Sequence, residues 1–166
     1  MKLEPLPPPD SFHLSAAEGW LELGDIQEAN EELERITPPM STHPLVLEMR
    51  WKVYSKWKKW ELAAEIARVL TEVLPDSSWG YIHYAYSLHE LKRSKEAWGV
   101  LIPVVDKFSD FIIRYNLACY ACQLGNLEDS MLWLEKAVEL SDRKEIRLMA
   151  LADPDLEPLW NKISEM

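Results

Sequence analysis

Cys119 and Cys122 form a Cys-x-x-Cys pair, the one motif in this sequence whose residue types and spacing suggest metal or redox chemistry. A structural zinc site usually needs four thiolate or imidazole ligands at short, regular spacings. The other candidate ligands lack such spacing and are His13, His43, His83 and His89. A redox pair would need the strand-to-helix setting of a thioredoxin-like unit. We therefore interpret both cysteines as buried or groove-lining thiols, and we expect no metal or cofactor.

The two cysteines belong to the stretch from Phe111 to Asp142, which predicts a helical hairpin. Apolar residues recur at helical spacing in two segments of this stretch, and a Leu-Gly-Asn turn separates the segments. Gly125 supplies the residue with positive φ that commonly ends a helix. The Cys pair therefore lies on a helix, where two residues three positions apart share one face.

Charge and composition limit the classes of partner. The chain has 166 residues, with 28 acidic against 18 basic side chains and a net charge of −10. This charge repels phosphate backbones and anionic lipids, so we expect no nucleic acid and no membrane as the main partner. No apolar run approaches the ~20 residues of a membrane span, and the N-terminus lacks the apolar core of a signal peptide. We expect a cytoplasmic protein in which residues 1–9 form a flexible proline-rich arm.

The sequence repeats itself with a period close to 34 residues. Ala17, Trp51, Ala85 and Ala118 fall 34, 34 and 33 residues apart. A second set follows the same steps, namely Ala29, Ala63, Ala97 and Ser130. A third set marks the turn inside each unit, namely Gly24, Lys58, Lys92 and Gly125. Two amphipathic helices per period predict a helical solenoid whose units bury their apolar faces by stacking on their neighbours.

The fourth unit carries a recognisable pattern: Tyr115-Asn116-Leu117-Ala118, then Leu124-Gly125-Asn126, then Ala137 and Leu140. Together with the period, this pattern resembles the tetratricopeptide repeat (TPR). The earlier units depart from it, because Trp51 stands at a position that is normally small, and lysines replace two turn glycines.

The TPR resemblance implies an all-α fold, a right-handed alpha-alpha superhelix built as a TPR solenoid of helical hairpins. It places four TPR-like hairpins over residues 10–142 and C-terminal capping helices over residues 143–166. A terminal amphipathic helix of this kind covers the apolar face that the last repeat leaves open.

Caps and prolines set the expected helix limits. We expect helices near residues 11–23, 25–36, 44–57, 59–73, 77–91 and 94–107. Asp25, Asp142 and Asp153 stand where N-caps are expected, and Pro154 follows at a first helical position. Pro103 lies inside an expected helix and should kink it, at a cost of about 3 kcal/mol unless packing absorbs it.

A second stripe of residues runs along each first helix, about 80° from its packing face. In the third and fourth units the stripe is aromatic and apolar: Trp79, Ile82, Tyr86, His89, Ile112, Tyr115, Cys119 and Cys122. In the first and second units it is more polar: Ser11, Leu14, Glu18, Leu21, Leu45, Glu48, Lys52 and Ser55. The resemblance implies that this stripe lines a concave groove, where TPR proteins usually bind peptides or helices of other proteins.

TPR co-chaperones that hold a C-terminal carboxylate use lysine, asparagine and arginine at set positions of three successive first helices. The residues at those positions here do not reproduce that clamp. They are Leu14, Glu18, Met49, Trp79 and His83 in one register, and Glu48, Lys52, His83, Ile112 and Asn116 in the next. We therefore do not expect this mode of binding, and His83 and Asn116 remain candidate groove residues by position alone.

The resemblance predicts a non-catalytic protein-protein interaction module or adaptor. Its expected partner is a peptide or an amphipathic helical segment of another protein, held mainly by the apolar part of the stripe. In the alternative, the chain's own tail, or a second subunit in a homodimer, covers the aromatic residues of the stripe. Two further alternatives are a small acidic TPR chaperone of secreted proteins and an enzyme with a cryptic site at the Cys or His residues.

Overall fold

The structure is a computed structural model that describes residues 4–166. All regular secondary structure of these residues is helical, so the fold is all-α. The chain divides into two compact units, Met1–Ser87 and Leu88–Met166.

The N-terminal unit is built from helical hairpins. Its helices are α1 (Asp10–Glu22), α2 (Ile26–Glu34), α3 (Pro44–Lys56), α4 (Trp60–Val73) and α5 (Ser78–Glu90), the last of which continues three residues beyond the unit boundary. α1 packs against α2, and α3 packs against α4. Ala17, Ala29 and Ala63 are completely buried. Small side chains at the repeat positions thus allow each pair of helices to approach closely.

The segment before α1 includes a residue of the core. Residues 1–3 of the predicted flexible arm lie outside the described part of the chain. Leu6 is buried in the same cluster as Ala17 and Ile36, and the backbone oxygen of Glu4 lies 2.9 Å from Nε2 of His43. A proline-rich segment has few conformations to lose, which lowers the entropic cost of packing Leu6.

Asp10 joins the beginning of α1 to the end of α2. Its carboxylate is buried and accepts hydrogen bonds from the backbone N–H of Thr37 at 2.7 Å and from the hydroxyl of Thr37 at 2.8 Å. Hydrogen bonds to a carboxylate are strong enough to offset much of the cost of burying it. The predicted helix break follows at once, where Pro38–Met40 forms a short 3-10 helix.

The C-terminal unit contains the remaining helices. They are α6 (Ser94–Leu101), α7 (Phe111–Gln123), α8 (Leu127–Val138), α9 (Arg143–Ala152) and α10 (Trp160–Ser164), with 3-10 segments at Ile102–Val104 and Pro154–Leu159. α7 packs against α8 and also against α6. Ser130 occupies the position of a small residue, and its hydroxyl donates to the backbone oxygen of Ala118 at 2.8 Å. That bond satisfies the one polar group that distinguishes serine from alanine in this buried place.

The prediction of a kinked helix over residues 94–107 was wrong. The α-helix ends at Leu101 and gives way to the 3-10 segment that contains Pro103. Proline has no N–H to donate to the carbonyl four residues earlier, and its ring crowds that carbonyl. The α-helix therefore stops near Pro103 instead of bending.

The four turn positions set out by the period share one backbone conformation. Gly24, Lys58, Lys92 and Gly125 have φ angles of 84°, 55°, 62° and 83°. At each turn the residue after this position donates its N–H to the carbonyl oxygen five residues earlier, at 2.8–2.9 Å. This is the hydrogen bond of the Schellman motif, which satisfies a carbonyl at the helix end. Two lysines thus adopt the left-handed conformation that the repeat geometry requires.

The predicted N-caps are confirmed. The carboxylates of Asp25, Asp142 and Asp153 accept backbone N–H groups at 3.1, 2.9 and 3.0 Å. After the last cap the chain forms the 3-10 segment and α10, whose apolar side chains are completely or almost completely buried: Leu156, Leu159 and Ile163. These C-terminal residues pack on α7, α8 and α9.

Candidate functional site

The first helices of the N-terminal unit frame an open depression of about 340 Å³. Its lining residues are Glu18, Leu21, Glu22, Met49, Lys52 and Lys56. Two carboxylates come from α1 and two ammonium groups from α3, and Leu21 and Met49 contribute apolar surface between them. The depression therefore offers an apolar contact flanked by charges of both signs.

Three residues of the predicted stripe line this depression, with Leu21 among them. Glu18 and Lys52 line it directly, and Lys52 forms an ion pair of 3.0 Å with Glu48 one turn away. Leu14 and Leu45 pack instead against the buried core of the unit. The two leucines are therefore more important for folding than for contact with a ligand.

An aromatic stack lies between α3 and α5. The ring of His83 packs in tilted geometry against two indoles, with its centroid 3.8 Å from Trp51 and 3.9 Å from Trp79, and the two indoles meet edge-on at 5.5 Å. Trp51 also donates its indole N–H to the hydroxyl of Ser87 at 3.0 Å. The bulky residue at a normally small position is thus accommodated by aromatic neighbours and a buried hydrogen bond.

His83 is held neutral by its surroundings. Burial, together with the positive charge of Lys52, lowers the pKa of His83 from 6.5 to about 4. Its Nδ1 atom is buried and has no hydrogen-bond partner among the described residues. His83 is therefore a structural component of the aromatic stack.

The remaining aromatic candidates of this unit are more accessible. Tyr86 is 37% exposed, and its ring lies 6.4 Å from Trp51 and 5.7 Å from Trp60 in edge-on geometry. Trp79 and Ile82 are half-buried. Tyr86 is thus the most exposed of the predicted aromatic residues in this unit.

In the C-terminal unit the chain's own tail covers the predicted stripe. The hydroxyl of Tyr115 donates to Oδ2 of Asp153 at 2.9 Å, and the sulfur of Cys119 lies 3.5 Å from the same oxygen. Nε2 of His89 lies 2.7 Å from Oδ2 of Asp155. His89, Tyr115 and Cys119 are all buried. For these three residues the structure agrees with the alternative in which the chain's own tail covers the stripe.

Sequence reasoning missed the two acidic partners of the stripe. The predicted role of Asp153 was to cap a helix, and its other carboxylate oxygen does so. The remaining signal was chemical: Asp153 and Asp155 flank Pro154 at the start of the tail, and a polar stripe residue such as His89 needs a partner when it is buried. Ile112 and Asn116, the other candidates in this unit, are half-buried.

The two cysteines are buried free thiols. Burial, reinforced by nearby Asp153, raises the pKa of Cys119 well above its usual value. Burial likewise raises the pKa values of Cys122 and Tyr115. Because the thiolate is the nucleophile and the metal ligand, these surroundings disfavour both reactions. Residues 4–166 contain no cluster of three or more His, Cys, Asp and Glu side chains that could hold a metal ion.

None of the helices described between residues 4 and 166 has both the length and the apolar character needed to cross a membrane.

Comparison with known proteins identifies the fold. Neither a protein-family model nor a curated protein matches the sequence. A MamA structure from Desulfovibrio magneticus RS-1 matches with a TM-score of 0.73 at 17% identity, over 96% of this chain and 95% of that chain. A MamA structure of strain MSR-1 matches with a TM-score of 0.70 at 20% identity, over 81% and 78% of the two chains.

A thermophilic TPR protein from Thermus thermophilus gives a TM-score of 0.69 at 16% identity, over 96% of this chain and 84% of that chain. The chain therefore has a TPR-like helical-repeat fold, which confirms the fold predicted from its period. At these identities the similarity concerns the fold alone.

Proposed function

We propose that this protein is a non-catalytic interaction module whose N-terminal unit binds a peptide or helical segment of another protein. The observation that carries the proposal is the open depression between α1 and α3. Three of its six lining residues, Glu18, Leu21 and Lys52, belong to the stripe predicted from helical spacing, and it combines apolar surface with charged walls. The corresponding stripe residues of the C-terminal unit are already covered by the tail.

The charges of the depression define the chemistry of the partner segment. Glu18 and Glu22 favour basic side chains along the α1 wall, and Lys52 and Lys56 favour acidic side chains along the α3 wall. Between the walls, Leu21 and Met49 accept an apolar side chain. An amphipathic helix with oppositely charged flanks satisfies all three requirements.

A non-catalytic role agrees with the state of the reactive side chains. The cysteines are buried with raised pKa values, and His83 packs against two indoles. The alternative of a chaperone for secreted proteins stays a prediction, since a charged depression selects a particular segment more readily than an unfolded chain.

Photocrosslinking in the native cell tests the proposal. A photoreactive amino acid in place of Lys56, at the rim of the depression, is expected to capture a specific protein that mass spectrometry identifies. The same amino acid in place of Glu65, an exposed residue of α4 outside the depression, serves as the control.

Charge reversal then tests the stated chemistry. Glu18→Lys and Lys52→Glu should each reduce capture at Lys56 by about tenfold without changing the circular dichroism spectrum. Equal capture at Lys56 and Glu65, or capture insensitive to both reversals, would contradict the proposal.

A further inference from the structure

α1 carries an apolar stripe that no other described element covers. Phe12, Trp20 and Leu23 are 67%, 37% and 78% exposed, and helical spacing places them on one face. Ala16 and Gly19 lie between them on that face. Apart from the neighbouring residues and the backbone of α1 itself, no atom lies within 4 Å of the position that a Cβ on Gly19 would occupy. This α1 face is therefore a shallow depression bordered by large apolar side chains, a kind of surface that soluble proteins rarely leave open.

The surroundings of the α1 face are strongly acidic. Residues 10–34 contain eight Asp and Glu residues and no Lys or Arg. Several of these carboxylates are already engaged, such as Asp10 with Thr37 and Glu34 with Arg50. Glu22, which also lines the depression between α1 and α3, is exposed near the end of α1 and has no ion pair among the described residues. An apolar surface with basic residues around it would complement this face.

α9 of the C-terminal unit provides such a surface. Leu148 is 55% exposed, and Lys144 and Ala152 lie one turn before and after it and are also exposed. Arg143 is exposed and Arg147 is half-buried in the same helix. Glu145, which is also exposed, lies three residues before Leu148, so the α9 face combines one prominent apolar side chain with mainly basic neighbours.

We propose that the α1 face of one copy of this chain binds the α9 face of a second copy, so that copies assemble head to tail. In this contact Leu148 packs into the depression over Ala16 and Gly19. The stripe from Phe12 to Leu23 is about 17 Å long and α9 is about 15 Å long, so one helix matches the other in length.

An antiparallel arrangement of the two helices satisfies the charges. It places Lys144, near the beginning of α9, beside Glu22, near the end of α1. It also sets the two helix dipoles in opposite directions, which is the favourable arrangement. Pairing of two α1 faces would instead oppose acidic residues, and pairing of two α9 faces would oppose basic ones. The complementary surfaces are thus different, which makes the contact heterologous.

Sedimentation of the full-length chain at low ionic strength tests the proposal. The mean mass should rise with protein concentration, and added salt should weaken the association because it screens the charges. Leu23→Glu and Leu148→Glu should each raise the dissociation constant by more than about tenfold. Leu132→Glu, at a side chain of α8 that is 54% exposed, should associate like the unchanged protein.

Mixing the two variants gives the decisive result. The Leu148→Glu variant keeps an intact α1 face and the Leu23→Glu variant keeps an intact α9 face, so an equimolar mixture should form heterodimers. The chain that combines Glu22→Lys with Lys144→Glu should regain the association that each single reversal weakens by about threefold to tenfold. Circular dichroism establishes that every variant is folded, and Leu23→Gln and Leu148→Gln replace any variant that is not.

Three results would each overturn the proposal. The first is a protein that stays monomeric up to about 200 µM at low ionic strength. The second is a Leu148→Glu variant that associates as strongly as the unchanged protein. The third is a mixture of the two variants that remains monomeric.

Discussion

Replacement of His83 with Phe should remove an acid sensitivity of the N-terminal unit. In the folded protein the pKa of His83 is lowered to about 4, first by burial and second by the charge of Lys52. Unfolding exposes the ring and returns the pKa to 6.5, so the unfolded chain binds a proton more readily. The stability that neutral His83 preserves is fully present above pH 6.5 and is lost as the pH falls from there towards about 4.

The size of the effect follows from the two pKa values. Between about pH 7 and about pH 5, a pKa difference of this size corresponds to about 2 kcal/mol of unfolding free energy. His83 is only half-buried, so screening by water reduces the expected effect to about 1–2 kcal/mol. Phe keeps an aromatic ring packed against Trp51 and Trp79 and has no proton to gain. The stability of the His83→Phe variant should therefore fall less than that of the unchanged protein between about pH 7 and about pH 5.

Urea unfolding at several pH values provides the measurement, with tryptophan fluorescence as the probe. The difference in unfolding free energy between the His83→Phe variant and the unchanged protein should shift by about 1–2 kcal/mol in favour of the variant between about pH 7 and about pH 5. His13→Gln is the matched control, because His13 lies partly exposed beside Glu32 and outside the aromatic stack. Parallel pH profiles for the His83→Phe variant and the unchanged protein would refute the reasoning.

Three other substitutions test the turns and the tail. Lys58→Gly should stabilise the protein by about 0.5–1 kcal/mol in urea unfolding, because glycine removes the cost of a left-handed lysine and the freer unfolded chain offsets only part of that gain. Gly24→Ala should have the opposite effect. Equal unfolding free energies for the two variants would count against this account. Tyr115→Phe should lower the unfolding free energy by about 1–3 kcal/mol and speed hydrogen exchange in Pro154–Leu159, because Asp153 loses a buried donor. If hydrogen exchange in Pro154–Leu159 is as slow in the Tyr115→Phe variant as in the unchanged protein, the tail is held by its apolar side chains alone.

The repeat could be predicted from sequence because its geometric requirements recur at fixed positions. A helical repeat needs a positive φ where each unit turns and mostly small residues where two helices cross, although Trp51 occupies one of these positions. The period located both, even at Lys58 and Lys92, where the residue type alone predicts no turn. Spacing was thus more informative than residue identity, since lysine tolerates the left-handed conformation at a cost of about 1 kcal/mol.

Properties that depend on contacts between distant residues could not be predicted in this way. The hydrogen bonds of Asp153 and Asp155 join residues separated by 38 positions for Tyr115 and by 66 positions for His89. Helical periodicity describes one helix face at a time and does not show which segment will cover it. Helical spacing therefore identifies the stripe residues as a set, but it does not show which of them are exposed to solvent.

The covered stripe alters the expected chemistry of recognition. The aromatic and apolar residues of the stripe favoured a hydrophobic partner when only the sequence was considered. In the C-terminal unit, however, His89 and Tyr115 already bind the tail, and the free energy of that contact stabilises the fold. The open depression of the N-terminal unit has two carboxylates opposite two ammonium groups, with Glu18 and Lys52 among them. We infer that selectivity for a partner depends on the arrangement of its charges, because charge complementarity distinguishes between amphipathic segments of similar hydrophobicity.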